Sequence, residues 1–306
     1  MSRTGVRRLR SWLVPPVLRV IFFACRVLPW SVVQGLGRMC GRLAARLAGR
    51  DRTRSLDHLA LAFPESDPDW RRRITREAFT NQLTNVFEIA HLAGADDSVI
   101  DRRVRVEGWA HVERARDSAR PTIVITAHCG NWELLGAVFG RRRTPLAAVV
   151  RGLSEKGLEP VLARVRESFG TRTIRRGEPG AVRELLGALR GGTCLMMLID
   201  QDIRTEGVWV PFFGRLAHTP VGAARLALQR NALVITAFME RTTDGAHVAR
   251  FDEPAELPGD SAQATAVLTR RIEDQVRRAP AQWVWWHRRW RTAPPLEDDE
   301  RVWRAG

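Results

Sequence analysis

The sequence contains no tyrosine, and Lys156 is the single lysine among 49 basic side chains in 306 residues. Such a preference for arginine reads as codon bias in a G+C-rich genome, so the choice of cation carries little functional information. The four cysteines, Cys25, Cys40, Cys129 and Cys194, lie far apart with no C-x-x-C pair. That excludes a disulfide framework or a zinc cluster and fits a reducing, cytosolic environment. The H-E-x-x-H spacing is missing, and His58, His91, His111, His218, His247 and His287 each stand alone, so the sequence proposes no metal site. Internal repeats and low-complexity linkers are also missing. No uninterrupted apolar run reaches the roughly 20 residues of a membrane span. The nearest, "WLVPPVLRVIFFACRVLPW" at 12–30, is broken by Pro15, Pro16, Arg19, Arg26 and Pro29.

What is present is positive charge and enough apolar content for a real core. Hydrophobic residues make up 44% of the chain and the formal charge is +15, which implies an anionic partner. Residues 1–54 hold twelve arginines against one acid, Asp51, a net of +11. An arginine-rich start before an apolar stretch has the outline of a signal peptide, but Arg19 interrupts the stretch and no small-x-small cleavage site follows. The segment therefore reads as a retained anchor, spanning or lying in the interface, with the interrupting arginines favouring the latter. Next, "GLGRMCGRLAARLAGR" spaces Arg38, Arg42, Arg46 and Arg50 by four and gathers Leu36, Met39, Leu43 and Leu47 on another part of the helix. Two readings follow: a solvated basic face above a packed apolar stripe, or a helix on a membrane surface. The chain divides into a hydrophobic, basic membrane-associating region at 1–54 and an α/β domain with a helical lead-in at 55–306.

A turn at "ESDPD" precedes a helix expected over 68–91. From about residue 104 the periodicity changes. Strands expected at 122–126, 146–150, 193–199, 208–210 and 232–239 alternate with helices at 133–139, 159–168, 181–189, 221–229 and 262–277. Alternation of this kind predicts an α/β fold, a mostly parallel central sheet flanked by helices.

One corner of this pattern carries chemistry. In "TIVITAHCGNWELLG", at 122–136, an apolar strand runs into His128, turns through Cys129 and Gly130, and enters a helix whose first turn holds Glu133. Ligands of α/β sheets meet the carboxyl ends of strands. An imidazole there, oriented by a carboxylate, is a general base for an alcohol, whereas a lone strand-end histidine is commonly only a satisfied structural residue. Cys129 points to the opposite side from His128 and is not taken as a nucleophile. "DQD" at 200–202 follows the apolar run "CLMMLI", so Asp200 also sits at a strand end, while Asp202 suits a turn or capping role as well as a catalytic one. Arg151 ends "LAAVVR" and is a candidate for a phosphate or oxyanion contact. Arg164 and Arg166 follow on the next helix, where a solvated face is the commoner role; Arg166 is kept as a candidate substrate contact. "VPFFG" and "TPVG" offer apolar surface, a tight turn and a helix start. Phe212, Phe213, Gly214 and Thr219 are thus candidates for substrate binding, with core packing as the alternative for the two phenylalanines. The carboxy-terminal "QWVWWHRRWR" mixes tryptophan with arginine, as at a membrane interface or a base-stacking surface.

"AHCGNWELLG" resembles the histidine, four residues, acid motif of glycerolipid-type acyltransferases, in the form used by bacterial late acyltransferases of lipid A biosynthesis. "LIDQD", "VWVPFFGRLAHTPVGAARLA" and "APAQWVWWHRRWRTAP" follow in the family's order, and "LDHLALAFPE" and "REAFTN" resemble its amino-terminal part. The resemblance spans about residues 30–294. It implies a glycerol-3-phosphate acyltransferase-like fold and transfer of a fatty acyl group from acyl carrier protein or coenzyme A to a hydroxyl of an anionic lipid A precursor, at the cytoplasmic face of the inner membrane. It implies His128 as base, with no cofactor, metal or acyl-enzyme. In the related mycobacterial mannoside acyltransferases the partner carboxylate lies on a later strand, matching Asp200, while the acid of the motif is more structural; both Glu133 and Asp200 remain candidates. Where the family has a proline and a later Asn-Pro after its equivalent of Arg151, this chain has "RGLSEKG". A phosphatidylinositol mannoside or another glycolipid is the alternative acceptor. A non-catalytic binder of anionic lipid or nucleic acid is the alternative of another class, although no nucleic-acid partner is expected.

Overall fold

The computed structural model describes residues 20, 22–151 and 159–294; residues 12–19 and 21 of the anchor expected at 12–30 lie outside them. The first helices form a layer before the sheet: α1 (Trp30–Leu47), α2 (Gly49–Ala62) and α3 (Pro68–Leu92). Asp67 caps α3 by accepting the Trp70 N–H at 2.8 Å, with Pro68 where the helix needs no donor. A short α4 (Asp97–Asp101), β1 (Val104–Glu107) and α5 (Trp109–Asp117) lead into the alternating part.

That part consists of β2 (Thr122–Thr126), α6 (Glu133–Arg141), β3 (Leu146–Arg151), α7 (Glu159–Ser168), β4 (Thr171–Arg176), α8 (Ala181–Arg190) and β5 (Cys194–Leu198). A hairpin of β6 (Gly207–Phe212) and β7 (Arg215–Pro220) follows, then α9 (Gly222–Gln229), β8 (Leu233–Arg241), β9 (His247–Phe251) and α10 (Ser261–Arg278). The main sheet has the order β1-β9-β8-β2-β5-β3-β4. Strands β4, β3, β5, β2 and β8 run parallel, while β9 pairs antiparallel with β8 and carries β1 with it. The expected α/β class with a mostly parallel sheet holds, with one exception among the expected strands. The strand expected at 208–210 joins no sheet of the alternating series but pairs antiparallel with β7 in a separate two-stranded sheet. Its Gly214, with φ of 69°, makes the hairpin turn.

Every residue of β2 is buried, and successive side chains serve opposite cores. Ile123 and Ile125 join α2, α3, α9 and α10 on one face; Val124 joins α5 and α6 on the other. This central strand therefore needs apolar residues at every position, which explains its unbroken run.

The helix α1 overturns one of its two readings, the packed apolar stripe. Its packed face is Val33, Gln34, Gly37, Gly41 and Ala45, whereas Met39, Leu43 and Leu47 are 59%, 53% and 75% exposed. The apolar stripe is thus not a core stripe. The two glycines decide this, because they let the α1 backbone lie directly on α3: a Cβ at Gly41 would stand 2.4 Å from Thr80 Cα, and one at Gly37 2.6 Å from Thr84 Cα. Among the described residues no helix is long and apolar enough to cross a membrane.

Replacing Gly41 by alanine should destabilise the fold by about 1–3 kcal/mol through overpacking. Gly35→Ala, in the same helix with nothing within 4 Å, should be neutral or stabilising by up to about 1 kcal/mol. Urea unfolding of the two variants checks this; equal effects would contradict the packing assigned to Gly41.

Candidate active site

Parallel pairing of β2 with β5 places Thr126 opposite Leu198. Two residues further along each strand stand His128 and Asp200, which the register brings side by side. His128 Nδ1 lies 2.8 Å from Asp200 Oδ1, and the His128 backbone N–H donates to Asp200 Oδ2 at 2.9 Å. The Trp283 indole N–H donates to the same Oδ2 at 2.8 Å. Burial alone would raise the Asp200 carboxyl, but the neighbouring His128 ring, His287 and the Trp283 donor outweigh it and hold it well below the ordinary carboxylate range. Asp200 is an acceptor at neutral pH, so in the neutral His128 ring Nδ1 carries the proton and Nε2 keeps its lone pair.

The ring is partly open, its side chain 21% exposed, and it borders a cleft of about 1270 Å³. That exceeds the roughly 300–1,000 Å³ of an ordinary small-ligand site. Trp132 packs edge-on at 5.0 Å and His287 at 4.7 Å between ring centroids. The Gln201 side-chain nitrogen lies 3.3 and 3.2 Å from the two ring nitrogens of His128 and 3.0 and 3.1 Å from those of His287. One atom nearly equidistant from both nitrogens of a ring cannot lie on the lone-pair axis of either, so Gln201 does not cap Nε2 along its lone pair.

The loop carrying His128 is fixed from behind. Gly130, with φ of 62°, sits so close to β8 that a Cβ would fall 1.6 Å from Met239 O. Its N–H donates to Gln282 O and its carbonyl accepts from Asn85 on α3. Beneath it Glu88, fully buried, accepts from Gln34 Nε2 at 2.7 Å and Asn131 Nδ2 at 3.3 Å, lies 3.0 Å from His247 Nε2, and pairs with Arg241. His247 and Arg241 hold Glu88 down at about 2 against the upward effect of burial.

Of the two acids named from sequence, Asp200 contacts the imidazole. Glu133 instead takes a two-pronged salt bridge from Arg166 on α7, at 2.9 and 2.6 Å, both side chains being buried. It therefore ties α6 to α7, and Arg166 is not a solvated surface charge. Arg151 lines the cleft. Asp202 accepts from Arg291 and from the Thr292 N–H, clamping the carboxy-terminal segment. Phe212 and Phe213 do not line the cleft. They lie in the core against Trp283, Trp285 and Trp290, with Arg289 over Phe212, because the hairpin folds beneath the tryptophan-rich segment. Thr219 is fully buried beside them and receives Arg289 NH2 at 2.6 Å; Gly214 is confined to its turn. Cys129 faces the core, where burial pushes its thiol far up.

The "QWVWWHRRWR" segment corrects a second expectation: Trp283, Trp285 and Arg289 are completely buried, not interfacial. The same segment delivers His287 and Trp283 to the site. Neither they nor Gln201 were singled out from sequence, since over 80 residues separate His287 from Gln201 and nothing local marks the encounter. Among the described residues no group of His, Cys, Asp or Glu could hold a metal ion.

A strand-end imidazole held by a carboxylate beside a large cleft has the arrangement of a general base, and comparison with known proteins gives the class of protein. The family model for bacterial lipid A biosynthesis acyltransferases matches residues 2–292. The chain belongs to that family and is a lipid acyltransferase. It is 29% identical over 289 residues to the lipid A biosynthesis palmitoleoyltransferase of Escherichia coli, covering 93% of each chain. It is 26% identical to the lauroyltransferase of the same organism, over 95% of each. A phosphatidylinositol mannoside acyltransferase of Mycolicibacterium smegmatis is 24% identical over 90% of each.

Burial and the charge of His128 depress the His287 imidazole from 6.5 to about 3. The unfolded chain therefore binds a proton that the folded chain refuses, and this contribution to stability is present above pH 6.5 and lost as pH falls toward 3. Between about pH 6 and pH 4 it should amount to as much as ~1.4 kcal/mol per pH unit. In denaturant titrations His287→Gln should lose less stability than wild type over this window; identical slopes would contradict a buried neutral His287.

Proposed function

We propose that the protein is a membrane-associated O-acyltransferase that moves a fatty acyl chain from an acyl thioester, on acyl carrier protein or coenzyme A, to a hydroxyl of a lipid A precursor. The observation that carries this reading is the His128–Asp200 pair, with the His128 side chain lining a large cleft, in a chain of this family.

His128 Nε2 takes the proton of the acceptor hydroxyl as its oxygen bonds to the thioester carbonyl carbon. The tetrahedral intermediate collapses by breaking the carbon–sulfur bond, and the leaving thiolate recovers the proton from the imidazolium. Asp200 keeps the tautomer and balances the transient positive ring. Because a thioester is already activated, no acyl-enzyme, metal or cofactor is required; base assistance contributes about 10²–10⁴-fold.

Several features support a peripheral position on the cytoplasmic face of the inner membrane. Phe23 and Val27, each 71% exposed, precede the uncovered Met39, Leu43 and Leu47 of α1, and Arg38, Arg42 and Arg46 are exposed on that same helix. An apolar stripe flanked by cations suits an anionic bilayer surface. The mannoside acyltransferases among the relatives favour a second reading, in which a phosphatidylinositol mannoside is the acceptor and the same dyad does the chemistry.

In a purified assay His128→Ala and Asp200→Asn should each reduce acyl transfer by about 10²–10⁴-fold with circular dichroism unchanged. Full activity of His128→Ala would overturn the base assignment. Mass spectrometry of host lipids with and without the protein should show one missing fatty acyl mass on a lipid A precursor; a loss confined to mannosides would select the second reading.

A further inference from the structure

Five arginines border the cleft: Arg151, Arg166, Arg176, Arg225 and Arg230. Arg166 is bound by Glu133 and Arg225 by Glu206, the latter at 2.5 and 2.6 Å. Arg230 is exposed at the end of α9. Arg151 and Arg176 differ from all three in being paired with each other. They are direct register partners at the last positions of the parallel strands β3 and β4, so their side chains leave the same face from backbones about 4.8 Å apart. Neither has a carboxylate partner among the described residues.

Two guanidiniums side by side repel, and the arrangement costs more where water is partly excluded. Burial, with the Arg151 charge added to it, lowers the Arg176 pKa. An anion between them would remove that cost. Their strand ends are on the same edge of the sheet as those of β2 and β5, which carry His128 and Asp200, and the same cleft is walled by Leu185 and Leu186 of α8. A phosphate bound here would have an apolar surface beside it. Two planar forks match the several oxygens of a phosphate better than the two of a carboxylate.

We propose that Arg151 and Arg176 together form a phosphate-binding subsite of the cleft. Its ligand is a phosphate attached to one of the two reacting lipids: the phosphate of an anionic acceptor, or the phosphodiester of a pantetheine-type thioester donor. Naming these two sources rests on the acyl-transfer reading above; the subsite itself rests on the paired cations.

Calorimetry on the full chain in detergent tests it without turnover. Four probes are titrated: a short-chain acylated disaccharide bearing a phosphate monoester, the same lipid without phosphate, pantetheine 4′-phosphate and pantetheine. One phosphorylated probe should bind at least about tenfold more tightly than its unphosphorylated counterpart. Arg151→Gln and Arg176→Gln should each shrink this ratio, and the double variant should abolish it. The probe pair that responds identifies the source. Equal affinities within both pairs for the wild type, or a ratio preserved in the double variant, would overturn the proposal. Should the double variant not fold, the exposed Arg151→Gln alone decides, by a shrunken or an unchanged ratio. Because binding needs no chemistry, loss of transfer in His128 variants with intact phosphate discrimination would leave this subsite standing, and the converse failure would leave the base assignment standing.

Discussion

A carboxylate sealed from solvent at the end of a β-strand is unfavourable unless its oxygens are fully used. Asp200 meets that condition with three donors that come from two distant parts of the chain: the backbone and ring of His128, and the indole of Trp283. Much of the architecture can be understood as what is needed to bring these three together. Parallel pairing of β2 with β5 supplies the first two. The carboxy-terminal segment, returning across the sheet to hydrogen-bond with the His128 carbonyl and the Gly130 N–H, supplies the third.

The rigidity of this arrangement comes from behind the site. Glu88 and Asn85 on α3, Arg241 on β8 and His247 on β9 form a buried polar cluster that reaches Gly130 and Asn131 directly. Gln34 extends it to α1. The helical layer before the sheet is therefore a structural part of the site, even though no residue of it reaches the imidazole. Glu133 and Arg166 do the corresponding work in front, locking α6 to α7 where both border the cleft.

Local pattern made the chain's elements legible and left their partners hidden. The strand at Thr122–Thr126 and the helix at Glu159–Ser168 stand where periodicity and turn residues put them. His128 and Asp200 were both recognisable as strand-end residues. Their contact was not legible in local pattern, where it depends on β5, rather than β3, lying beside β2; only the family resemblance offered Asp200 as the partner, with Glu133 beside it. In α1, periodicity correctly grouped Met39, Leu43 and Leu47 but could not say that the glycine face, with no side chain to hold it away, would win the contact with α3. Tryptophan and arginine in the last segment read as interfacial by composition. Burial of Arg289 is possible only because the His218 carbonyl and the Thr219 hydroxyl receive its guanidinium, and those acceptors lie some 70 residues away. Phe212 and Phe213 were ambiguous for the same reason: an apolar residue suits a groove and a core equally until its neighbours are known.

The central claim is that Asp200 holds His128 in the Nδ1-protonated form, with Nε2 free toward the cleft. Nitrogen-15 NMR of the histidine side chains, with His128 assigned through its alanine variant, measures this directly in the resting protein at neutral pH. The account predicts a protonated-type shift at Nδ1 and an unprotonated one at Nε2, with the preference lost in Asp200→Asn. A resting His128 protonated at Nε2, or a tautomer indifferent to Asp200, would contradict it.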